Sequence, residues 1–389
     1  MTLAIALKTG DLTQLPSRRN EDWRWTDLRG LVRTLPPVSP VFFDTIQPGG
    51  PFKSIAEVEL VIANGRHNWW PGEDTETVDF TQHDAPDNPY DPADLPMAAL
   101  AADKAIEPRA SIITFTGDDV ASVRFVSATD GTSHHARFGV VVEAGVSAVL
   151  LESHEGRGDR YLANTLVEIF LEEDAKLERI VLADDAAEAF TITTAIVNLA
   201  PGATFNQTVL TAGARRQRIE TRINHPGAHA NVRLDGVYVL EAQRHADQTT
   251  VVTHGGVDGV TSQLTKGVVG DQARGVFQGR IVVQPGADQT DARMGHHALI
   301  LSDKAEVDAK PELLIFADDV ACAHGNTIGA LDDEQIFYAR QRGIPEAEAK
   351  AMLTQAFLGE VVERIEHEGA RQIAAAWVAA KLGGRSDGI

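Results

Sequence analysis

The only cysteine of this 389-residue chain, Cys322, lies two positions before His324. If both lie on a β-strand, their side chains point to the same face, about 7 Å apart, which is two strand rises. Thiolate and imidazole are suitable ligands for zinc, copper and iron–sulfur clusters. A cluster normally takes four protein ligands, mostly thiolates, so this pair supplies half a site at most. In the structural alternative, the cysteine packs as a small apolar residue beside a hydrogen-bonded histidine.

Other pairs of polar residues are weaker candidates for a metal or catalytic site. His296-His297 lies on a predicted strand, where neighbours point to opposite faces, so we expect one inward and one exposed ring. We expect His134-His135 in a solvated loop, because the surrounding DGTSHHARF is turn-like. Asp318-Asp319 could act as a general acid and base, but acidic residues at a strand end are typical of a solvated turn.

Composition and missing motifs exclude several functions. No G-x-x-x-x-G-K-[ST] motif occurs, so any ATP dependence must come from another subunit. The chain also has no H-E-x-x-H and no G-x-S-x-G, which leaves zinc-protease and α/β-hydrolase functions without support. A formal net charge of −21 disfavours nucleic acid and anionic membranes as partners. With one cysteine and no apolar run of about 18 residues, we expect a cytoplasmic protein.

Three segments must position these residues. Residues 1–105 combine a short helical opening with proline-rich connections, and the prolines of DAPDNPYDPADLP indicate a linker at Pro86, Pro89, Pro92 and Pro96. Residues 106–330 contain β-branched runs such as Phe138–Val142 and Gly279–Val283, separated by short turns. Residues 331–389 have a helical pattern. We therefore predict a mainly β chain with helical segments at both ends.

Turn sequences recur through the β segment, between 25 and 31 residues apart. They are Ala144-Gly145, Asp174-Ala175, Pro201-Gly202-Ala203, Pro226-Gly227-Ala228, Gly255-Gly256 and Pro285-Gly286-Ala287. Each interval has room for two strands, and a repeated unit that cannot bury its own apolar face must stack on its neighbours. The period favours a right-handed parallel β-helix. A β-sandwich is the alternative, because its turns are also regular.

The helical segment begins with clear boundary signals. Asp332 can cap a helix that ends near Arg342, Gly343 can adopt the left-handed conformation after it, and Pro345 suits the first turn of the next helix. That helix is amphipathic, and Gly369 interrupts the pattern before an alanine-rich stretch. We expect these helices to cover the end of the β-helix or to dock a partner.

The sequence of residues 275–346 resembles the shared core of the SufB/SufD family, the scaffold subunits of the SUF iron–sulfur cluster assembly system. The resemblance lies in GVFQGRIVVQPGADQTDA, HHALILSDKAEVDAKPELLIFADDVACAHG and LDDEQIFYARQRGI. The early segment EDWRWTDL is similar to the N-terminal segment of the family. The single cysteine and moderate length are closer to the SufD branch than to the SufB branch.

The resemblance implies a non-enzymatic scaffold with partners. It implies a complex with SufB and the ATPase SufC, in which a nascent Fe-S cluster is built between the SufB and SufD β-helices. His324 falls where a family histidine helps to hold that cluster, with Cys322 as an auxiliary thiol. The SufC interface would include Phe337, Tyr338 and Arg342-Gly343. The cluster would be transient, with none bound by the isolated chain. A homodimer when alone and reduced flavin in the complex are further implications.

Two alternatives remain at this point. A carbohydrate-active β-helix enzyme would align acidic residues along a groove, and the rungs show no repeated acidic position. A purely structural subunit would use Cys322 and His324 for packing alone. Substitution of His324 separates this last possibility from a ligand role.

Overall fold

A computed structural model describes residues 11–42, 46, 49–68, 78–83, 95–103, 110–225 and 227–383. The described part is mainly β, and its strands form two sheets. The first sheet contains β1 (Val58–Ala63), β2 (Arg66–His67), β5 (Val120–Ser127), β7 (Ser147–Gly156), β9 (Lys176–Asp184), β11 (Thr204–Thr211), β13 (Asn231–Leu240), β15 (Val260–Val269), β17 (Asp291–Ile300) and β19 (Ala321–Gly329). The second contains β3 (Val78–His83), β4 (Ala110–Phe115), β6 (Thr132–Val142), β8 (Tyr161–Leu171), β10 (Phe190–Leu199), β12 (Arg216–His225), β14 (His245–His254), β16 (Arg274–Val283) and β18 (Glu306–Ile315).

From β4 onwards, consecutive strands alternate between the two sheets, so each coil of the chain adds one strand to each sheet. Val260 in β15 pairs with Asp291 in β17, and Arg274 in β16 pairs with Glu306 in β18, all in parallel. Only the first strands depart from this pattern among the described residues, because β2 pairs antiparallel with β1 and β3 pairs antiparallel with β4. The result is a β-solenoid of about eight turns, which confirms the predicted parallel β-helix and excludes the β-sandwich.

The recurrent turns stack along one edge of the solenoid, as their period predicted. Gly145 and Gly202 have φ angles of 72° and 73°, where a side chain on Cα would be strained. Pro226, in another of these turns, lies outside the described residues. β1 comes before residue 106, yet it pairs in parallel with β5, so a strand from the N-terminal segment joins the first sheet.

The core fills the lumen, which is the space that the two sheets enclose. Phe138, Val167 and Phe205 are among its fully buried residues, and alternate residues of each strand point into it. The pleat therefore divides every strand into a lumen face and an outer face.

The helices pack on the outside of the sheets. They are α1 (Leu28–Leu31), α2 (Pro96–Ala102), α3 (Asp333–Gln341), α4 (Glu346–Val362) and α5 (Glu368–Gly383), with 3₁₀ turns at Leu12–Gln14 and Glu21–Trp23. Pro96 starts α2, so the last of the four linker prolines belongs to a helix. Pro86, Pro89 and Pro92 lie outside the described residues.

Helices α4 and α5 lie on the outer face of the first sheet. Leu358 and Val361 of α4 are buried together with Leu182 and Leu210 of that sheet. Of the two roles expected for these helices, covering the end of the solenoid is thus wrong, because the apolar faces of α4 and α5 match the apolar outer face of β7 to β15. Docking of a partner stays a prediction. The break before the last helix falls at residues 363–367, and Gly369 lies inside α5.

The N-terminal segment lies on the second sheet. Trp23 and Leu28 are buried against Leu162 and Ile192, which belong to β8 and β10. Each sheet therefore carries a cover on its outer face. No helix in the described part of the chain is long and apolar enough to cross a membrane.

Candidate functional site

The last coil leaves one end of the solenoid open. β18 and β19 are the outermost strands of their sheets, and each has one neighbouring strand among the described residues. Apolar side chains that another coil would bury are consequently exposed, and Phe316 is 62% exposed. Leu314, Ile315 and Ile328 are also exposed at this end. This end of the solenoid is an apolar surface beside an unpaired strand edge.

Cys322 and His324 both lie on β19 and face the open lumen. They pair in register with Ala292 and Met294, which are buried lumen residues of β17. Cys322 packs against the same cluster of apolar side chains as Leu313, and it is half-buried. His324 is exposed. The structure confirms that the two residues share one face of a strand.

Burial raises the pKa of the Cys322 thiol, and the nearby Asp291 carboxylate acts in the same direction. The cysteine is therefore a neutral thiol at pH 7 in this chain. Because a metal binds the thiolate, a ligand at this position must displace a proton, and its binding weakens as the pH falls.

The site contains two donors and lacks a full ligand set. The described residues include no group of three or more His, Cys, Asp and Glu side chains that could hold a metal ion. Asp318-Asp319 lies in the turn between β18 and β19, where both side chains are exposed, as a solvated turn predicts. The donors at the lumen mouth can hold a cluster only together with ligands from elsewhere.

A buried hydrogen-bonded chain supports β19 next to the donors. The His296 ring, fully buried, stacks on Phe277 at 4.7 Å. Its Nδ1 lies 2.6 Å from Asn326 Oδ1, and its Nε2 lies 2.9 Å from the Tyr238 hydroxyl. Asn326 can only accept through this oxygen, so Nδ1 donates and Nε2 accepts from the tyrosine. Asn326 is not among the residues predicted from the sequence, although its i+2 spacing from His324 places it on the same face.

The histidine pairs differ in how well the sequence predicted them. His296 points inward, as expected, and its neighbour His297 is half-buried beside Thr327 and the C-terminal helix rather than fully exposed. The loop predicted for His134-His135 is wrong, because β6 begins at Thr132. His134 is buried in the lumen near Tyr161, and burial lowers its pKa to about 3.

The tryptophan-rich EDWRWTDL segment packs into the protein through Trp23 and Leu28. Trp23 is buried, and the guanidinium of Arg218 lies over its ring at 4.6 Å. The guanidinium of Arg24 lies 5.6 Å from the centre of the Trp25 ring, within the range of a cation–π contact.

The C-terminal candidates form an exposed aromatic group on α3. Phe337 and Tyr338 are each 61% exposed, while Ile336 anchors the helix in the protein. Arg342 donates to the Tyr338 hydroxyl at 2.8 Å. Gly343 has a φ of 86°, which confirms the predicted left-handed residue after the helix, and Asp332 caps its start by accepting from the Glu334 amide.

Comparisons with known proteins agree on one family. Residues 125–357 match the family model for "SUF system FeS cluster assembly, SufBD core domain". The chain is 29% identical to the iron–sulfur cluster assembly protein SufD of Escherichia coli, over 96% of this chain and 90% of that protein. It is 30% identical to a SufBD family protein of Synechocystis, over 58% of this chain and 52% of the relative. Identity to SufD of Bacillus subtilis is 35% over 35% of this chain and 31% of that protein.

Proposed function

The chain belongs to the SufBD family of iron–sulfur cluster assembly proteins, and we propose that it is the SufD-type scaffold subunit that holds one side of a cluster-building site in the cytoplasm. One observation carries this proposal. The matched core domain includes β19, so Cys322 and His324 stand at the open end of the family's own fold. Nothing observed favours the carbohydrate-active alternative.

The open end is suited to dock a second subunit. Its exposed apolar residues cost free energy in water, about 25 cal/mol per Å² of apolar surface, and a partner that covers them recovers that energy. β19 also presents an unpaired edge without proline, whereas β18 contains Pro311. An edge strand without proline can pair with a strand of another chain. A SufB-like paralogue with its own open coil is the partner we propose.

The cluster is the cargo of this site, and the chain supplies a minority of its ligands. In the proposal, His324 binds as a neutral imidazole and Cys322 as an auxiliary thiolate, while the partner supplies the remaining thiolates. The raised pKa of the Cys322 thiol makes its contribution weak at neutral pH. A cluster held in this way leaves readily, which suits a scaffold that passes its product on.

The C-terminal helices provide a second docking face, for a SufC-like ATPase. Phe337 and Tyr338 form an exposed aromatic pair, a type of residue that is enriched at interface centres. The chain itself has no P-loop, so nucleotide hydrolysis would come from this partner. Reduced flavin, if it takes part, would belong to the assembled complex.

The ligand role is tested in the complex with SufB-like and SufC-like partners, purified anaerobically. His324→Asn is compared with His229→Asn, which changes an exposed histidine in the turn before β13. We expect the visible absorbance of the cluster to fall in the first variant alone, with the complex still assembled. Equal cluster content in both variants would show that His324 is not a ligand and that the chain is a structural subunit.

The docking role of the aromatic pair is tested separately. Tyr338→Ala should weaken binding of the SufC-like ATPase about tenfold or more, as truncation of a central interface aromatic does. Met352→Ala removes another exposed apolar side chain, from α4, and serves as the control. Equal affinities for both variants would place the ATPase elsewhere.

A further inference from the structure

The EDWRWTDL segment crosses the outer face of the second sheet towards its last strand. The Thr26 hydroxyl donates to Asp247 in β14 at 2.6 Å, inside the protein. Trp23 lies under the buried Arg218 of β12. The Asp22 carbonyl oxygen accepts from Gln278 in β16 at 3.4 Å. Residues 21–27, which we name the strap, therefore contact three successive strands.

The strap ends in ion pairs at the open coil. The Glu21 carboxylate lies 2.9 Å from Lys310 Nζ in β18, and Lys310 holds the pKa of that carboxyl below its usual range. Asp22 Oδ1 lies 3.0 Å from Arg280, whose guanidinium also binds Glu312 of β18 at 2.8 Å. Lys310 and Glu312 of β18 are thus tied to the strap, Lys310 directly and Glu312 through Arg280.

Strand β18 needs support because it is an end strand. It pairs with β16 on one side, and Pro311 lacks the N–H that a ladder hydrogen bond requires. Strands with one partner open more readily than strands inside a sheet. Leu313 on the lumen face of β18 packs against the same cluster as Cys322, so the position of β18 affects the lumen mouth.

We propose that Glu21 and Asp22 are positioning residues: the strap holds β18 in place, and through β18 it sets the shape of the open end at Cys322 and His324. The effect on docking rests on the proposed function, whereas the effect on β18 does not. The geometry of the docking end would thus depend on a segment that lies about 290 residues earlier in the chain.

The test is hydrogen exchange of the full-length chain, followed by peptides. Glu21→Gln with Asp22→Asn removes both ion pairs and keeps the side-chain shapes. The control, Glu143→Gln with Glu173→Gln, removes two charges from the exposed turns that follow β6 and β8. We expect exchange in residues 306–315 to rise about threefold to tenfold in the strap variant alone, the effect of losing two partly exposed ion pairs. Exchange in β6 to β10 should stay unchanged.

Affinity for the SufB-like partner is measured with the same proteins. The strap variant should bind at least about threefold more weakly, and Glu21→Asp with Asp22→Glu, which restores the charges, should recover most of the loss. Unchanged exchange in residues 306–315, or an equal rise in all strands, would refute the proposal that the strap holds β18 in place. If the unaltered chain itself fails to bind the partner, the proposed function is refuted. The exchange result still decides whether the strap holds β18 in place.

Discussion

Replacement of Tyr238 by phenylalanine should destabilise the end of the solenoid more than replacement of Asn326 by alanine does. Both residues hydrogen-bond to the fully buried His296, one to each ring nitrogen. The two hydrogen bonds differ in whether water can reach the site once the side chain is removed. Tyr238 is fully buried, and Gly267 and Gly275 lie directly against its ring, so no water can replace the missing hydroxyl. Asn326 is exposed at the open coil.

The magnitudes follow from this difference. Tyr238→Phe leaves Nε2 of His296 as a buried acceptor without a donor, which costs about 2 to 3 kcal/mol. Asn326→Ala removes a hydrogen bond at a position that water can reach, which costs about 1 kcal/mol. In exchange rates these costs correspond to about 30-fold to 160-fold for Tyr238→Phe and about fivefold for Asn326→Ala.

The assay is native-state hydrogen exchange of residues 291–300 and 321–329, which avoids the assumption that a solenoid unfolds in one step. Tyr338→Phe is the matched control, since it removes an exposed hydroxyl, and it should change exchange there less than twofold. A cost below about 0.5 kcal/mol for Tyr238→Phe, or a larger cost for Asn326→Ala, would refute the hydrogen-bonded chain.

Three further predictions concern pH, the thiol and the packing of the core. Burial lowers the pKa of His134 to about 3 from 6.5, so the ring is neutral in the folded chain and its protonation favours unfolding. Its contribution to stability should fall by about 1.6 kcal/mol between pH 6.5 and pH 5. Because burial also lowers the pKa of His135 and His225, the contribution is measured as the difference in urea unfolding between the chain and His134→Asn. An equal pH dependence of the two proteins would contradict this. Because burial raises the pKa of the Cys322 thiol, its alkylation by iodoacetamide should be slow at pH 7, and the rate should still increase above pH 9. The rate is monitored by intact-protein mass spectrometry, and a plateau by pH 8 would contradict the raised pKa. Gly267→Ala places a methyl group where the Tyr238 ring lies, so it should lower the free energy of unfolding by about 3 kcal/mol or more, measured by thermal or urea unfolding. Gly325→Ala, with open space at its Cβ, should lower it by less than about 0.5 kcal/mol. Similar losses in both variants would contradict the packing of Gly267 against Tyr238.

The repeat and the donor pair could be read from the sequence because both are local patterns. A two-strand coil needs a turn at each end, and left-handed glycines such as Gly145 and Gly202 mark those turns at a steady interval. The alternation of side chains along a strand places Cys322 and His324 on one face from their spacing alone. Capping by Asp332 and termination at Gly343 are also local, and the structure contains both.

The arrangement of the segments was decided by tertiary contacts. Helix α4 has an apolar face, but only the apolar outer face of the first sheet determines that the helix lies beside the solenoid and leaves its end open. His134 was misplaced for the same reason, since its polar surroundings indicate a loop and only lumen packing makes it a buried strand residue.

The sequence by itself determined the family, the β-solenoid and the two donors, because these depend on residue identity and on periods within about 30 residues. The tertiary structure alone decided that the donors stand at an uncovered end, that Asn326 and His296 support their strand, and that Glu21 reaches Lys310. The physical reason is that such contacts join residues far apart in the chain. Their partners are chosen by burial and charge in the folded molecule, which no local pattern records.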